Sequence, residues 1–265
     1  GSRDILILLD TSESMNAANP PPSRLERARQ KIASLLDRCP GDRFGLVPFS
    51  GDAVLRCPLT LDHAYFRSVL RAVDTDTLTE EGTNIEDALE EAEAVFEEDI
   101  EETGEENRHA RVILLISDGE EVSGDAVKTA QTMGRFAGVY VLGIGDPEGA
   151  EVKFPEWMER HVRVRSEKTH LSKLDEETLS QIAVKGGGAY VRTTPDNADI
   201  EHIHRELEAV TARAVSGELR FNLVNRYRWP LAVAIACFAG EGLWIVLMGA
   251  LRRWRLRRPA QETAQ

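Results

Sequence analysis

The sequence predicts an α/β protein: a doubly wound, mostly parallel sheet with helices on both faces, plus a C-terminal transmembrane helix. Three observations predict it. Ile5 to Leu9 and Val112 to Ile116 are continuously apolar over strand length, as in strands covered on both faces. Segments with apolar residues at helical spacing alternate with such runs, the pattern that builds a parallel sheet with crossover helices. Trp229 to Leu251 is a 23-residue stretch with one charge, Glu241.

Each element has its own justification. After the first strand, Ser23 is a suitable N-cap for a helix from Arg24 to Leu36, where Leu25, Ala28, Ile32, Leu35 and Leu36 recur at helical spacing. Arg43 to Phe49 reads as a strand and Ala53 to Cys57 as a short neighbour. Asp62 to Val73 is helical, as is Asn84 to Glu98, with Ile85, Ala88, Leu89, Ala92 and Phe96 on one face. The Val112 to Ile116 strand is followed by a helix from Asp125 to Phe136 and a strand from Val139 to Ile144. Asp146 to Leu174 is a long insertion suited to a hairpin. Asp175 to Val184 is helical and ends at Gly186-Gly187-Gly188, a C-cap signal. Ala189 to Arg192 is a short strand, and Ala198 to Val215 a last helix.

The C-terminal stretch would span about 34 Å as a helix, enough for a bilayer core. Tyr227, Trp229 and Trp254 lie at its ends, where amphipathic rings prefer the interface. Five Arg follow it (252, 253, 255, 257, 258) and three precede it (220, 226, 228). The larger cluster stays cytoplasmic under the positive-inside rule, so the expected location is a cell membrane with residues 1–218 extracytoplasmic (periplasmic). Glu241, between Gly240 and Gly242, is costly at mid-membrane. It is either a contact with another membrane helix or a defect neutralised by protonation. The expected organisation is a soluble domain over 1–218, a linker over 219–228, the helix over 229–251 and a basic cytoplasmic tail over 252–265. The chain lacks an initiator Met and a visible signal peptide, so the expectation is a fragment or a processed product.

Charge and cysteines exclude other classes. The chain has 32 Lys and Arg against 45 Asp and Glu. Leu219 to Gln265 holds eight of the basic and two of the acidic residues, which leaves 24 and 43 in residues 1–218. A soluble part of net charge −19 lacks the basic footprint of a nucleic-acid binder. Three Cys are too few for a disulfide scaffold, and none has zinc-site spacing. Cys39 and Cys57 are far enough apart in sequence that spacing alone leaves their pairing open. Glu86 to Glu106 carries twelve acids, read as a solvated helix face and loop, with a docking surface for a basic partner as the alternative. His202 and His204 are two apart, a poor metal pair on a helix. Gly143-Ile144-Gly145 and Gly186 to Gly188 lack the rest of a nucleotide or phosphate fingerprint.

The chemistry is expected at strand ends, where open α/β sheets bind ligands. The first strand ends in Asp10-Thr11-Ser12-Glu13-Ser14. Gly82-Thr83-Asn84 marks a loop-to-helix junction. The Val112 to Ile116 strand ends in Ser117-Asp118-Gly119. Carboxylates and hydroxyls are hard oxygen ligands that suit Mg²⁺ or Mn²⁺. Each segment alone reads better as turn and cap chemistry. The three together, in this order and on these elements, weaken that reading.

These residues resemble a known family. Asp10-Thr11-Ser12-Glu13-Ser14, then Thr83, then Asp118, match the metal-ion-dependent adhesion site of von Willebrand factor A (VWA) domains, which are Rossmann-like. The resemblance implies Asp10, Ser12, Ser14, Thr83 and Asp118 as the ligand set, some through water, with an open position for an acidic group from a protein partner. Pro22 to Ala28, Gly41 to Val47, Cys57 to Thr60 and Leu174 to Leu179 resemble the BatA/BatB aerotolerance-type membrane proteins over nearly all of residues 3–215. That family is linked to MoxR-type AAA+ ATPases and to other VWA membrane proteins, which the resemblance implies as partners. Such an ATPase is cytoplasmic while the arginine count puts this domain outside, so contact would run through the membrane part or a further protein. Two departures stand out. Glu13 is an acid inside the motif, and Glu86 stands where Gly is common, with little expected effect.

The leading expectation is a non-enzymatic, membrane-anchored VWA module with no catalytic residues. A structural scaffold with a degenerate metal site is one alternative. A Mg²⁺-dependent phosphohydrolase with Asp10 as nucleophile is another. It is disfavoured because Ser12 stands where a second acid is needed and no Lys adjoins the three motifs.

Overall fold

Strand β1 (Arg3–Asp10) runs through the middle of a six-stranded sheet and is buried along its whole length. This computed structural model describes residues 2–18, 21–75, 82–103, 109–120, 124–151 and 171–215. They belong to a unit spanning Gly1–Phe221. A second unit, Asn222–Gln265, contains the expected membrane helix and basic tail and lies outside the described residues. Among the described residues, no helix is long and apolar enough to cross a membrane.

The remaining strands are β2 (Arg43–Phe49), β3 (Cys57–Thr60), β4 (Ala110–Ser117), β5 (Gly138–Gly143), β6 (Ala150–Glu151), β7 (Leu171–Ser172) and β8 (Gly187–Arg192). The order in the main sheet is β3-β2-β1-β4-β5-β8, parallel except for β3. Six α-helices follow the chain: α1 (Arg24–Arg38), α2 (His63–Ala72), α3 (Ile85–Thr103), α4 (Ala126–Met133), α5 (Glu176–Lys185) and α6 (Ala198–Val215). Ser23 caps α1, accepting from Glu26 N. Asp62, Asp125 and Asp175 cap α2, α4 and α5, each accepting from the backbone N–H three residues on, which satisfies an otherwise unpaired helix donor.

The period-2 geometry of a strand divides β1 between two cores. Ile5, Ile7 and Leu9 pack with α1, α2 and α6. Leu6 and Leu8 pack with α3, α4 and α5. All five are fully buried, and each side chain of this size contributes about 1.5–3 kcal/mol on burial. Helices therefore cover both faces, as expected.

One element differs from the sequence expectation. Ala53 to Cys57 is not a strand: Ala53 forms only an isolated bridge with Phe49, and the ladder starts at Cys57. Val54 N donates to Pro48 O, but Pro48 has no N–H to continue the pairing. The insertion after β5 opens as a two-residue antiparallel pair, β6 with β7, the base of the expected hairpin; residues 152–170 lie outside the described residues.

Ion pairs brace the amino end of the sheet. Arg43 bonds Asp4 through two nitrogens and Asp99 through two more contacts, all at 2.8 Å, and its guanidinium is held protonated chiefly by Asp4. The acid-rich α3 is thus partly structural. Asp99 holds Arg43, Asp87 accepts from Ala53 N and Glu91 from Leu55 N.

Candidate metal centre

The chain turns from β1 to β2 on one side and returns to β4 on the other, so the carboxyl ends of β1 and β4 form the switch point of the sheet, where open α/β folds bind ligands. The register does the rest. Leu9 pairs with Ile116, so Asp10 emerges beside Ser117, whose hydroxyl donates to Asp10 Oδ2 at 2.5 Å.

The loop after β1 is pinned down. Thr11 donates to Phe49 O from both its backbone N (2.8 Å) and its hydroxyl (3.0 Å). Ser12 N donates to Asp10 Oδ1 at 2.9 Å, and the Ser12 and Ser14 hydroxyls lie 3.0 Å apart. A single turn of 3-10 helix, Glu13–Asn16, follows and buries Met15. Asp118, fully buried, closes the other side. Its Oδ1 accepts from Glu120 N at 3.0 Å. Gly119 turns the chain away at φ +73, where a Cβ would meet Leu179 Cγ at 2.8 Å, so only glycine fits. Thr83 is buried just before α3, and the next residue anchors that junction to the end of β2 through Asn84 N and Ser50 O, 2.6 Å apart.

Of the five expected ligands, the structure joins Asp10, Ser12 and Ser14 through direct contacts and sets Asp118 within electrostatic reach of Asp10. Burial pushes the Asp10 carboxyl up to about 7, the Asp118 charge adds to the rise, and hydrogen bonds from Ser117 and Ser12 oppose it. Thr83 lies at the same end of the sheet. Glu13 is half-buried. Glu86 is not inconsequential. Its carboxylate accepts from Asp125 N at 2.9 Å and from the Thr129 hydroxyl at 3.2 Å, clasping the start of α4.

A hard divalent cation fits these residues. Two buried acids and three hydroxyls form an all-oxygen donor set, and burial with the Asp118 charge beside it opposes ionisation of Asp10. The buried Oε2 of Glu120, two residues past Asp118, has no hydrogen-bond donor among the described residues. No cluster of three His, Cys, Asp or Glu is gathered into a metal cage among the described residues.

Ser117 stands in one of the three polar segments but outside the expected ligand set, and it orients Asp10; the roles of Arg24 and Ser172 were not read from the sequence. Arg24, 3% exposed, donates from Nη1 to Asp118 Oδ2 at 2.6 Å, to Ser172 Oγ at 2.5 Å and to Ser14 O at 3.4 Å, and from Nη2 to Ser172 O at 3.0 Å. Ser172, on β7, also faces Asp118, with its hydroxyl 3.4 Å from Oδ2. One signal for Arg24 was available: a cation in the first turn of a helix opposes the helix dipole and needs a partner elsewhere. Beside Arg24 lies a cavity of about 370 Å³ walled in part by Arg27, Lys31, Asp146 and Arg192. Cys39 and Cys57 are buried and free.

Residues 5–121 match the von Willebrand factor type A domain. The chain is similar to the crystal structure of BatB from Bacteroides thetaiotaomicron, with 30% identity and a TM-score of 0.70 over 80% of this chain and 100% of that one. It is equally similar to an aerotolerance-related membrane protein from Bacteroides fragilis, with 30% identity and a TM-score of 0.68 over 79% and 100% of the two chains. Curated relatives include an uncharacterized protein of Borreliella burgdorferi, 27% identical over 73% of this chain and 54% of the relative, and a UPF0353 protein of Mycolicibacterium paratuberculosis, 30% identical over 53% and 43%. The chain thus spans only about half the length of these curated relatives.

Proposed function

The chain belongs to the VWA-domain family of BatB-type, aerotolerance-related membrane proteins, and on that premise we propose that it is a membrane-anchored, non-enzymatic module that binds a protein partner through a divalent metal. Residues 1–218 form the binding domain, 219–228 the linker, 229–251 the anchor and 252–265 the cytoplasmic tail. Asp10, Ser12, Ser14, Thr83 and Asp118 hold Mg²⁺ or Mn²⁺, and the metal, when bound, offers an open position to a Glu or Asp of the partner. The partner belongs to an assembly of VWA membrane proteins linked to a MoxR-type AAA+ ATPase.

The observation that carries this reading is the pairing of two buried acids at the switch point of the sheet, Asp10 and Asp118, with Asp10 pushed up to about 7. Arg24 compensates Asp118, while burial still opposes the charged form of Asp10, which a further cation at this end of the sheet would favour. The cation beside Asp118 is Arg24, the first residue of α1, and no lysine contacts Asp10 or Asp118 among the described residues, which gives the phosphohydrolase alternative no support.

The test is titration calorimetry of the full chain, in an uncharged detergent, with Mg²⁺ and Mn²⁺. The expected result is one site, lost in Asp10→Ala and in Asp118→Ala while circular dichroism shows both variants folded. Metal binding that survives both substitutions would sink the assignment.

A further inference from the structure

We infer that Arg24 sets the net charge of the candidate metal site and thereby its preference for an acidic ligand. This rests on the metal-site reading above and deepens it.

The position of Arg24 is not one that helix formation or burial favours. It is the first residue of α1, where the dipole repels a cation, and its side chain is 3% exposed, where desolvation is expensive. Among the described residues, four hydrogen bonds hold it there, and only one is to an acid. Ser172 Oγ, Ser172 O and Ser14 O are neutral acceptors. Gly145, at φ +148, lies against the guanidinium: a Cβ there would sit 3.2 Å from Arg24 Cζ and Nε. The neutral cradle keeps the guanidinium in place when Asp118 turns to another cation.

The charge count follows. Asp10 and Asp118, both ionised, carry two negative charges, and Arg24 cancels one. A dication added to the two acids alone gives a neutral site. With Arg24 the loaded site keeps one positive charge, which an incoming carboxylate neutralises. Arg24 therefore weakens metal binding and strengthens carboxylate binding to the loaded site. A merely structural role would move both in the same direction.

The experiment uses the full chain in an uncharged detergent. Mn²⁺ affinity is read by calorimetry. Carboxylate affinity is read by paramagnetic broadening of the acetate methyl resonance with Mn²⁺-loaded protein. Arg24→Gln is expected to bind Mn²⁺ about tenfold more tightly, the order expected for one charge acting on a dication across several ångströms at near-aqueous dielectric, and acetate, with its single charge, about threefold more weakly. Arg24→Lys keeps the charge and stays within about twofold of the wild type in both, a difference of position rather than charge. Arg24→Met removes the charge, keeps an aliphatic stem and reproduces the Arg24→Gln pattern, so the test survives if Arg24→Gln does not fold. Loss of both affinities together, or no change in either, in a folded variant overturns the inference while leaving the metal site standing. A folded wild-type chain that binds no Mn²⁺ overturns both readings.

Discussion

Lys31 on α1 and Asp199 on α6 form an ion pair inside the protein, with Nζ 2.8 Å from Oδ1 and side chains only 6% and 0% exposed. Lys31 also donates to Asp196 O. Asp199 accepts from Thr194 N at 3.1 Å and from Ile200 N at 2.8 Å. One acid thus joins α1 to the loop that opens α6.

Breaking that pair leaves an uncompensated buried charge. Lys31→Met and Asp199→Ala are each expected to destabilise the fold by about 3–5 kcal/mol, read as a lower urea midpoint by circular dichroism. Lys31→Met combined with Asp199→Ala should cost clearly less than the sum of the single changes. Strict additivity would mean the two side chains are not energetically coupled.

Ser117 donates to Asp10 Oδ2 without belonging to the expected ligand set. Ser117→Ala is expected to weaken Mg²⁺ binding by about 10- to 100-fold, as removal of an orienting partner of a ligand does, with a change in thermal unfolding of only a few degrees. Unchanged affinity in calorimetry would show that Asp10 holds its orientation without the hydroxyl.

Burial pushes the Cys39 thiol up to about 12 and the Cys57 thiol up to about 11. Both remain protonated at neutral pH, and the thiolate is the reactive form. Iodoacetamide at pH 8 should modify neither in the native protein and both in urea, with peptide mass mapping to separate them from Cys237. The same shifts give a sign for stability. The unfolded thiols ionise near 9.0 and the folded ones higher, so this contribution is intact below pH 9 and is lost as pH rises towards the folded values. A urea midpoint that rises over that interval would contradict it.

Gly143 in β5 lies under Tyr190, whose hydroxyl donates to Glu176 Oε1 at 2.9 Å. A Cβ at Gly143 would stand 2.6 Å from Tyr190 Cε2. Gly143→Ala is expected to cost about 1–3 kcal/mol through overpacking. Adding Tyr190→Ser should recover part of that loss, and equal losses with Tyr and Ser at position 190 would place the strain elsewhere.

Much of the fold was legible because pattern and caps agree. Arg43–Phe49 and Ala198–Val215 fall where hydrophobic spacing puts them, and Ser23, Asp62, Asp125 and Asp175 mark helix starts by the chemistry of their side chains. The segment from Ala53 to Cys57 misled because its composition suits a strand, while pairing is decided by Pro48 on its neighbour. The site was legible as three polar clusters, but their connections were not. Asp10 meets Ser117 through the register of two strands 107 residues apart, and Arg24 meets Ser172 across 148 residues. Local sequence carries no record of such distances. Glu86 looked neutral for the same reason, since its work is done against α4.

The β3 margin also bears on how the chain can assemble. A bare outer strand invites another to zip alongside it. Here that margin is four residues long, holds an exposed Pro58 with no hydrogen to offer, and meets β2 with a shift in register between Phe44 and Leu46. Short length, proline and irregular pairing are each known to discourage lateral growth of a sheet. At that border, then, the sheet closes itself off against another strand laid alongside it.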